Sequence, residues 1–149
     1  MRRAPVAFLD ANVLFSACLG GGSFELLMRL GAGGVVRLVT SAACEREARA
    51  NLARKYPDHV GRLDPLLHDV EILDHAATEH RAWAAALVHP GDVHVLAAAR
   101  AGGVDVLITG DRSHFGHLMD LPMDPDELPF RVRTVRAFIE EGPQPGRAR

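Results

Sequence analysis

Four acidic residues from different segments of the chain could converge: Asp10, Glu47, Asp92 and Asp111. Asp10 and Asp111 follow predicted strands, Asp92 stands at a predicted helix start, and Glu47 lies two turns into the helix predicted after the second strand. Asp10 directly follows an apolar segment typical of a buried strand, where a carboxylate without a partner is unfavourable. Taken alone, Asp92 also fits a helix cap, Asp111 a turn residue, and Glu47 one charge on an exposed helix face. Asp10 is therefore the residue that most needs a functional explanation.

The chemistry of such a set follows from its charge. Carboxylates that converge repel one another, so at least one keeps its proton unless a cation lies among them. Oxygen ligands of this kind suit Mg²⁺ or Mn²⁺. These ions activate water and stabilise a phosphodiester during in-line attack. The acids therefore predict metal-dependent hydrolysis of a phosphate ester, which requires neither a nucleophilic serine nor a cysteine.

Predicted strands alternate with predicted helices, which indicates a three-layer α/β/α fold with a mostly parallel, about five-stranded central sheet. Ligands of such sheets bind beyond the carboxyl ends of the strands, where Asp10 and Asp111 fall. We expect strands at residues 5–9, 35–39, 70–73, 104–108 and 130–135. We expect helices from a Ser23 cap to Leu30, from a Thr40 or Ser41 cap to Tyr56, and over residues 57–68, 76–88, 93–101, 113–119 and 137–141.

The composition is that of an ordinary globular protein. The chain has 149 residues, a net charge of -2 and 48% hydrophobic residues, which predicts one domain over residues 1–141 with a flexible tail at 142–149. No apolar run approaches the ~18 residues of a membrane span, and Asp10 interrupts the first apolar stretch, so we expect a cytoplasmic protein without a signal peptide. Lys55 is the only lysine, whereas arginine is abundant.

Four segments resemble, in order, the motifs of PIN domains, a family of metal-dependent ribonucleases. Residues 8–14 (FLDANVL) look like the opening of these domains, and Ser41 followed six residues later by Glu47 is similar to their second motif. Residues 92–99 (DVHVLAAA) resemble the third motif, and residues 107–111 (LITGD) resemble the fourth. The resemblance extends over about residues 6–135.

This resemblance implies a site and a reaction. Asp10, Glu47, Asp92 and Asp111 would bind one or two Mg²⁺ or Mn²⁺ ions, and activated water would attack a phosphodiester of RNA. Asn12 resembles the polar residue that supports the first aspartate, and Thr109 resembles the hydroxyl residue at the end of the fourth strand. Many members are VapC-like toxins of toxin–antitoxin pairs, inhibited by a small antitoxin protein and often present as a homodimer.

Several positions leave alternatives open. Glu45 competes with Glu47 for the second acid, because residues two apart point about 200° apart on a helix and cannot both face one site. We prefer Glu47 for its distance from Ser41. His114 stands where some relatives carry a further acid, and His114 and Arg112 are candidates for phosphate contacts. Several arginines fit two interpretations: they are solvated residues on helix faces, or they form a rim that guides RNA phosphates to the site. These residues are Arg46, Arg49, Arg54, Arg100 and Arg112.

Two other functions fit part of the pattern. A haloacid-dehalogenase-type phosphohydrolase also uses an aspartate after its first strand, but Asn12 replaces the second aspartate of that motif and Lys55 lies outside the expected region. A catalytically silent PIN-like module that binds protein or RNA would retain the fold without the reaction. His114 and His117 have the spacing of a helical metal pair, but no third ligand follows at a suitable spacing, so we predict no zinc site from them.

Overall fold

The computed structural model describes residues 3–73, 77–144 and 146. Five parallel strands form one sheet in the order β3-β2-β1-β4-β5. The strands are β1 (Val6–Leu9), β2 (Arg37–Ser41), β3 (Val70–Leu73), β4 (Val106–Ile108) and β5 (Arg131–Arg133). Helices complete a three-layer α/β/α arrangement, so the predicted fold class is confirmed.

The central strand β1 lies wholly in the core, since all four of its residues are buried. Phe8 pairs with Val39 of β2 on one side and with Leu107 of β4 on the other. Continuous apolar strands of this kind are typical of parallel sheets covered on both faces. Because all strands run in one direction, the residues that follow β1, β2 and β4 lie at the same edge of the sheet.

Eight α-helices lie between or after the strands in the described part of the chain: α1 (Ala11–Leu19), α2 (Gly22–Ala32), α3 (Ala42–Lys55), α4 (Leu63–Leu67), α5 (Arg81–Ala85), α6 (Val93–Ala101), α7 (Arg112–Met119) and α8 (Val135–Glu141). Short 3-10 turns precede α4, α5 and α6. Over the described ranges, no single helix is long and apolar enough to cross a membrane, although α1 and α2 together, bent by 105°, have the required length and composition.

The local predictions differ from the structure in three places. Helix α1 was not predicted; it begins directly after Asp10, whose side chain accepts a hydrogen bond from Ala11 N and caps it. Ser23 is not the cap of α2, because the chain enters that helix through Gly21 at a φ of 126°, a conformation that glycine adopts without strain. The predicted helix over 76–88 is a 3-10 turn followed by the short α5, and Ala76 itself lies outside the described residues.

Three strands also differ in extent from the predictions, and part of the predicted tail makes a defined contact. Strand β2 begins two residues later than predicted and continues to Ser41, while β4 and β5 are shorter than predicted. Within the predicted tail, Gly146 N donates a hydrogen bond to Arg3 O at 2.8 Å. Residues 145 and 147–149 of that tail lie outside the described part.

The contact between α2 and β2 provides a test of this packing. A Cβ added to Gly31 would lie 2.4 Å from Leu38 Cδ1 and 2.9 Å from Cγ of the same buried side chain, whereas a Cβ at Gly22 meets open space. We expect Gly31→Ala to lower the free energy of unfolding by about 1–3 kcal/mol through overpacking. The matched variant Gly22→Ala should be neutral or slightly stabilising in urea denaturation. Equal stabilities for the two variants would contradict the packing.

Candidate functional site

Asp10 is a buried carboxylate at the carboxyl end of β1. The residue is 5% exposed. Its Oδ1 accepts a hydrogen bond from Ala11 N at 2.7 Å, and its Oδ2 accepts one from Thr109 Oγ1 at 2.8 Å and one from Asn12 Nδ2 at 3.1 Å. Two of these donors are side chains, so the position of the carboxylate is set by neighbours on both α1 and the segment after β4.

Asn12 and Thr109 connect the ends of β1 and β4. Asn12 Oδ1 accepts a hydrogen bond from Gly110 N at 2.8 Å, which directs the amide nitrogen of Asn12 toward Asp10. Asp111 N donates to Thr109 Oγ1 at 3.2 Å. Asn12 and Thr109 therefore lie where supporting residues were expected, and they link Asp10 to the segment that carries Asp111.

The second acid is presented by α3, which Ser41 caps through a hydrogen bond from Cys44 N. Glu47 lines a cavity with Asp10, whereas Glu45 binds Arg49 at 3.1 Å and is absent from that cavity lining. The helix thus directs the two glutamates to different surroundings, as their separation required. This arrangement favours Glu47 over Glu45 as the second acid.

Asp92 occupies the N-cap position of α6 but forms no capping hydrogen bond with its side chain. Its Oδ2 is buried and accepts no hydrogen bond of normal geometry, although His114 Nδ1 lies 2.8 Å away. Asp111 caps α7 through a bond from His114 N to its Oδ1 at 3.0 Å, and its Oδ2 lies 3.1 Å from His114 Nδ1. Asp92 is therefore not explained by a capping role.

The four predicted acids all line one cavity of about 300 Å³. They reach it from four different segments of the chain. The remaining lining residues are Ala11, Asn12, Phe15, Asn51 and Lys55. A larger, more apolar cavity of about 530 Å³ shares Asn12 and Asp111 with it and includes Phe24, Val135 and Arg136.

The electrostatics of the acidic cavity disfavour the ionised form of Asp10. Burial raises the pKa of Asp10 above its usual value, the hydrogen bonds from Thr109 and Ala11 oppose that rise, and the charges of Glu47 and Asp92 add to it. Burial beside Asp10 also raises the pKa of the Cys44 thiol to about 12, so that thiol stays protonated. A cation among the acids would relieve both the desolvation and the repulsion.

The donors in this cavity fit a hard divalent ion. All four acids offer carboxylate oxygens, and the buried Asp92 Oδ2 lacks a hydrogen-bond donor of normal geometry. Mg²⁺ and Mn²⁺ prefer such oxygen ligands. Asp10, Glu47, Asp92 and Asp111 are therefore the residues suited to hold one.

Other candidate residues lie in different places. Arg112 is exposed and lines a separate cavity beside Arg133 and Glu141, and His117 Nε2 lies 2.7 Å from Leu87 O. Two of the candidate rim arginines have partners elsewhere: Arg49 pairs with Asp64, and Arg100 stacks over Trp83.

Asn51 and Lys55 line the cavity but were not predicted as site residues from the sequence. On α3, Asn51 follows Glu47 by four residues and Lys55 follows Asn51 by four, so the three side chains lie on one face of the helix. That spacing was a signal available in the sequence.

Comparisons with known proteins agree with this architecture. The sequence profile described as PIN domain matches residues 6–113. Among solved structures, VapBC2 from Rickettsia felis, bound to a DNA fragment from its promoter, matches with a TM-score of 0.63 and 17% identity over 87% of this chain and 98% of that one. VapBC-1 from nontypeable Haemophilus influenzae matches with a TM-score of 0.61 and 16% identity over 88% of this chain and 98% of that one. No curated protein sequence matches the chain.

The raised pKa of Asp10 predicts a stability effect that depends on pH. The native state holds the Asp10 proton more tightly than the unfolded chain, so stability is lost as pH rises from 3.8 through the raised pKa. In EDTA, Asp10→Asn should therefore unfold at a higher temperature than the parent at pH 7, and the difference should shrink toward pH 4. A constant difference across thermal melts from pH 4 to 8 would contradict this origin of the effect.

Proposed function

The chain belongs to the PIN domain family, and on that premise we propose that it is a divalent-metal-dependent endoribonuclease that hydrolyses RNA phosphodiester bonds. One observation supports the proposal above all others. Acids from four separate segments line a single cavity, and one of them, Asp10, is buried among the others at an energetic cost that a cation would remove. Without a cation, such a cluster of acids has little structural benefit, because burial and mutual repulsion of the carboxylates are both unfavourable.

The residues of the cavity have distinct roles in the proposed reaction. A divalent ion supplies Lewis-acid chemistry for water activation and for charge on the phosphodiester. Asp10, Glu47, Asp92 and Asp111 hold that ion. Asn12 and Thr109 fix the Asp10 carboxylate and keep one of its oxygens engaged by two donors.

We assign the contact with the substrate phosphate to the rim of the same cavity. Lys55 is the only lysine in the sequence, and its exposed side chain lines the cavity. Its position one turn beyond Asn51 on α3 places a positive charge beside four carboxylates, where a phosphate would otherwise be repelled. The adjoining cavity of about 530 Å³ has room for a neighbouring nucleotide, with Arg136 at its border.

We further propose that the protein acts as the toxin of a toxin–antitoxin pair. The structural relatives described above are VapBC assemblies, and the chain covers 98% of the matched chain in each. An antitoxin protein is thus the proposed partner. Homodimer formation and a cytoplasmic location stay predictions from the sequence.

The two alternative functions differ in what the site should do. The phosphohydrolase of haloacid dehalogenase type needs an acid at position 12, but the Asn12 amide donates to Asp10 and cannot transfer a proton as an acid. The family match also favours the PIN assignment. A silent binding module would keep the cavity without binding metal, so millimolar Mn²⁺ should then leave the melting temperature unchanged.

Cleavage of RNA tests the proposed reaction directly. With Mg²⁺ or Mn²⁺, Asp10→Asn and Glu47→Gln should each reduce the cleavage rate at least ~100-fold, because each removes an ion ligand that acts in the transition state. The matched variant Glu45→Gln should cleave at nearly the parental rate, since Glu45 pairs with Arg49 instead. Parental activity in Asp10→Asn would refute the site, and equal loss in Glu45→Gln would refute the choice of Glu47.

Lys55 gives a second, separable test. We expect Lys55→Ala to raise the KM for RNA about tenfold, the effect of losing one charged phosphate contact, with a smaller change in kcat. Lys55→Arg keeps the charge and should restore most of the affinity. The measurement is steady-state cleavage at low and high salt, where the parent should lose affinity more steeply than Lys55→Ala. Equal KM values for parent and Lys55→Ala would exclude the contact.

A further inference from the structure

Two histidines from distant parts of the chain stack beside the acidic cavity. His89 precedes the 3-10 turn Pro90–Asp92, and His114 lies in the first turn of α7. Their ring centroids are 4.9 Å apart and their planes differ by 4°. Both side chains are exposed, so the stacking places two imidazoles side by side at the surface.

Asp92 completes a group of three with these histidines. His89 and Asp92 are three residues apart in one tight turn, and Asp92 Oδ2 faces His114 Nδ1 at 2.8 Å. One potential ligand atom from each of His89, Asp92 and His114 lies within 4.8 Å of the other two. The Asp92 oxygen is buried and accepts no hydrogen bond of normal geometry, so it lacks a competing donor other than the imidazole.

We propose that His89, Asp92 and His114 form a binding site for a divalent transition-metal ion, with Zn²⁺ as the preferred ion. Two imidazole nitrogens and one carboxylate select borderline metals, whereas Mg²⁺ prefers oxygen ligands alone. Three protein ligands leave a fourth position for water. This site is chemically distinct from the all-carboxylate set, although the two share Asp92.

Metal binding requires only small changes in the surrounding contacts. His89 Nδ1 accepts a hydrogen bond from Gly91 N at 3.1 Å, and coordination through that nitrogen would replace this single hydrogen bond. His114 Nδ1 would exchange its contacts with Asp92 and Asp111 in the same way. Ligand distances of ~2.0–2.2 Å to zinc require the three atoms to stand roughly 3.3 Å apart, within reach of rotations of two exposed rings.

The shared Asp92 has a functional consequence. Because the Asp92 carboxylate belongs to both sites, Zn²⁺ bound to the histidines would compete with an ion in the carboxylate set for Asp92 or would share Asp92 with that ion. Zn²⁺ should therefore change the affinity for Mg²⁺, and by linkage Mg²⁺ should change the affinity for Zn²⁺ by the same factor. This inference does not require that the protein cleave RNA.

Cobalt spectroscopy on tag-free, full-length protein tests the site. Co²⁺ bound to this group should give a visible d–d absorption that Zn²⁺ displaces, with a stoichiometry of one ion per chain. His89→Ala and His114→Ala should each weaken Co²⁺ binding at least ~10-fold, while the matched variant His68→Ala, at an exposed histidine in the turn after α4, should bind as the parent does. Melting curves without metal would show that each variant is folded.

Separate outcomes address the two sites. The rise in melting temperature caused by Mg²⁺ should persist in His89→Ala, because His89 lies outside the carboxylate set. Parental Co²⁺ affinity in both histidine variants, or a thiolate charge-transfer band from Cys44, would overturn the proposed site. Histidine-dependent Co²⁺ binding without any effect of Mg²⁺ on the parent would support this site and contradict the metal-dependent function.

Discussion

The burial of the Asp10 carboxylate is the interaction on which the site depends. A carboxylate with 5% exposure beside other acids has lost most of its hydration, and the charges of Glu47 and Asp92 make its ionisation still less favourable. Three hydrogen bonds offset part of this cost and fix the carboxylate in place. A divalent ion is the simplest partner that offsets the rest.

The topology of the sheet makes this burial possible. Asp10 N donates to Ile108 O at 3.1 Å, which joins the end of β1 to the end of β4 although 98 residues separate them in the chain. On the other side, Thr40 Oγ1 donates to Leu9 O at 2.7 Å and connects β2 to the residue before Asp10. Parallel strands thus bring their carboxyl ends together, and α1 and α3, which follow β1 and β2, contribute Asn12 and Glu47 to the same cavity.

Much of this arrangement was visible in the sequence. Apolar strands, glycine-marked helix ends and the order of the four acids predicted the fold class and the four acids that line the cavity. Asp10 was informative because few buried positions tolerate a carboxylate without a reason. The choice between Glu47 and Glu45 was also accessible, since helical geometry allows only one of them to face the cavity and the distance from Ser41 favoured Glu47.

The remaining features depend on tertiary contacts that local patterns do not contain. Helix α1 was not predicted because its beginning is set by the Asp10 side chain, and the start of α2 depends on the positive φ of Gly21. The stacking of His89 with His114 joins segments 25 residues apart, so ligand spacing along the chain could not reveal it. Lys55, in contrast, follows the i, i+4 spacing of Glu47 and Asn51 on α3, so its place beside the cavity was predictable from the sequence.

Anomalous scattering from a crystal of the protein saturated with Mn²⁺ is the most direct measurement of whether these acids form a metal centre. An anomalous peak within bonding distance of Asp10, in the cavity bounded by Glu47, Asp92 and Asp111, is the predicted result. Absence of a peak there at saturating Mn²⁺, with the four side chains ordered around water alone, would contradict a metal-dependent hydrolytic role for this cavity.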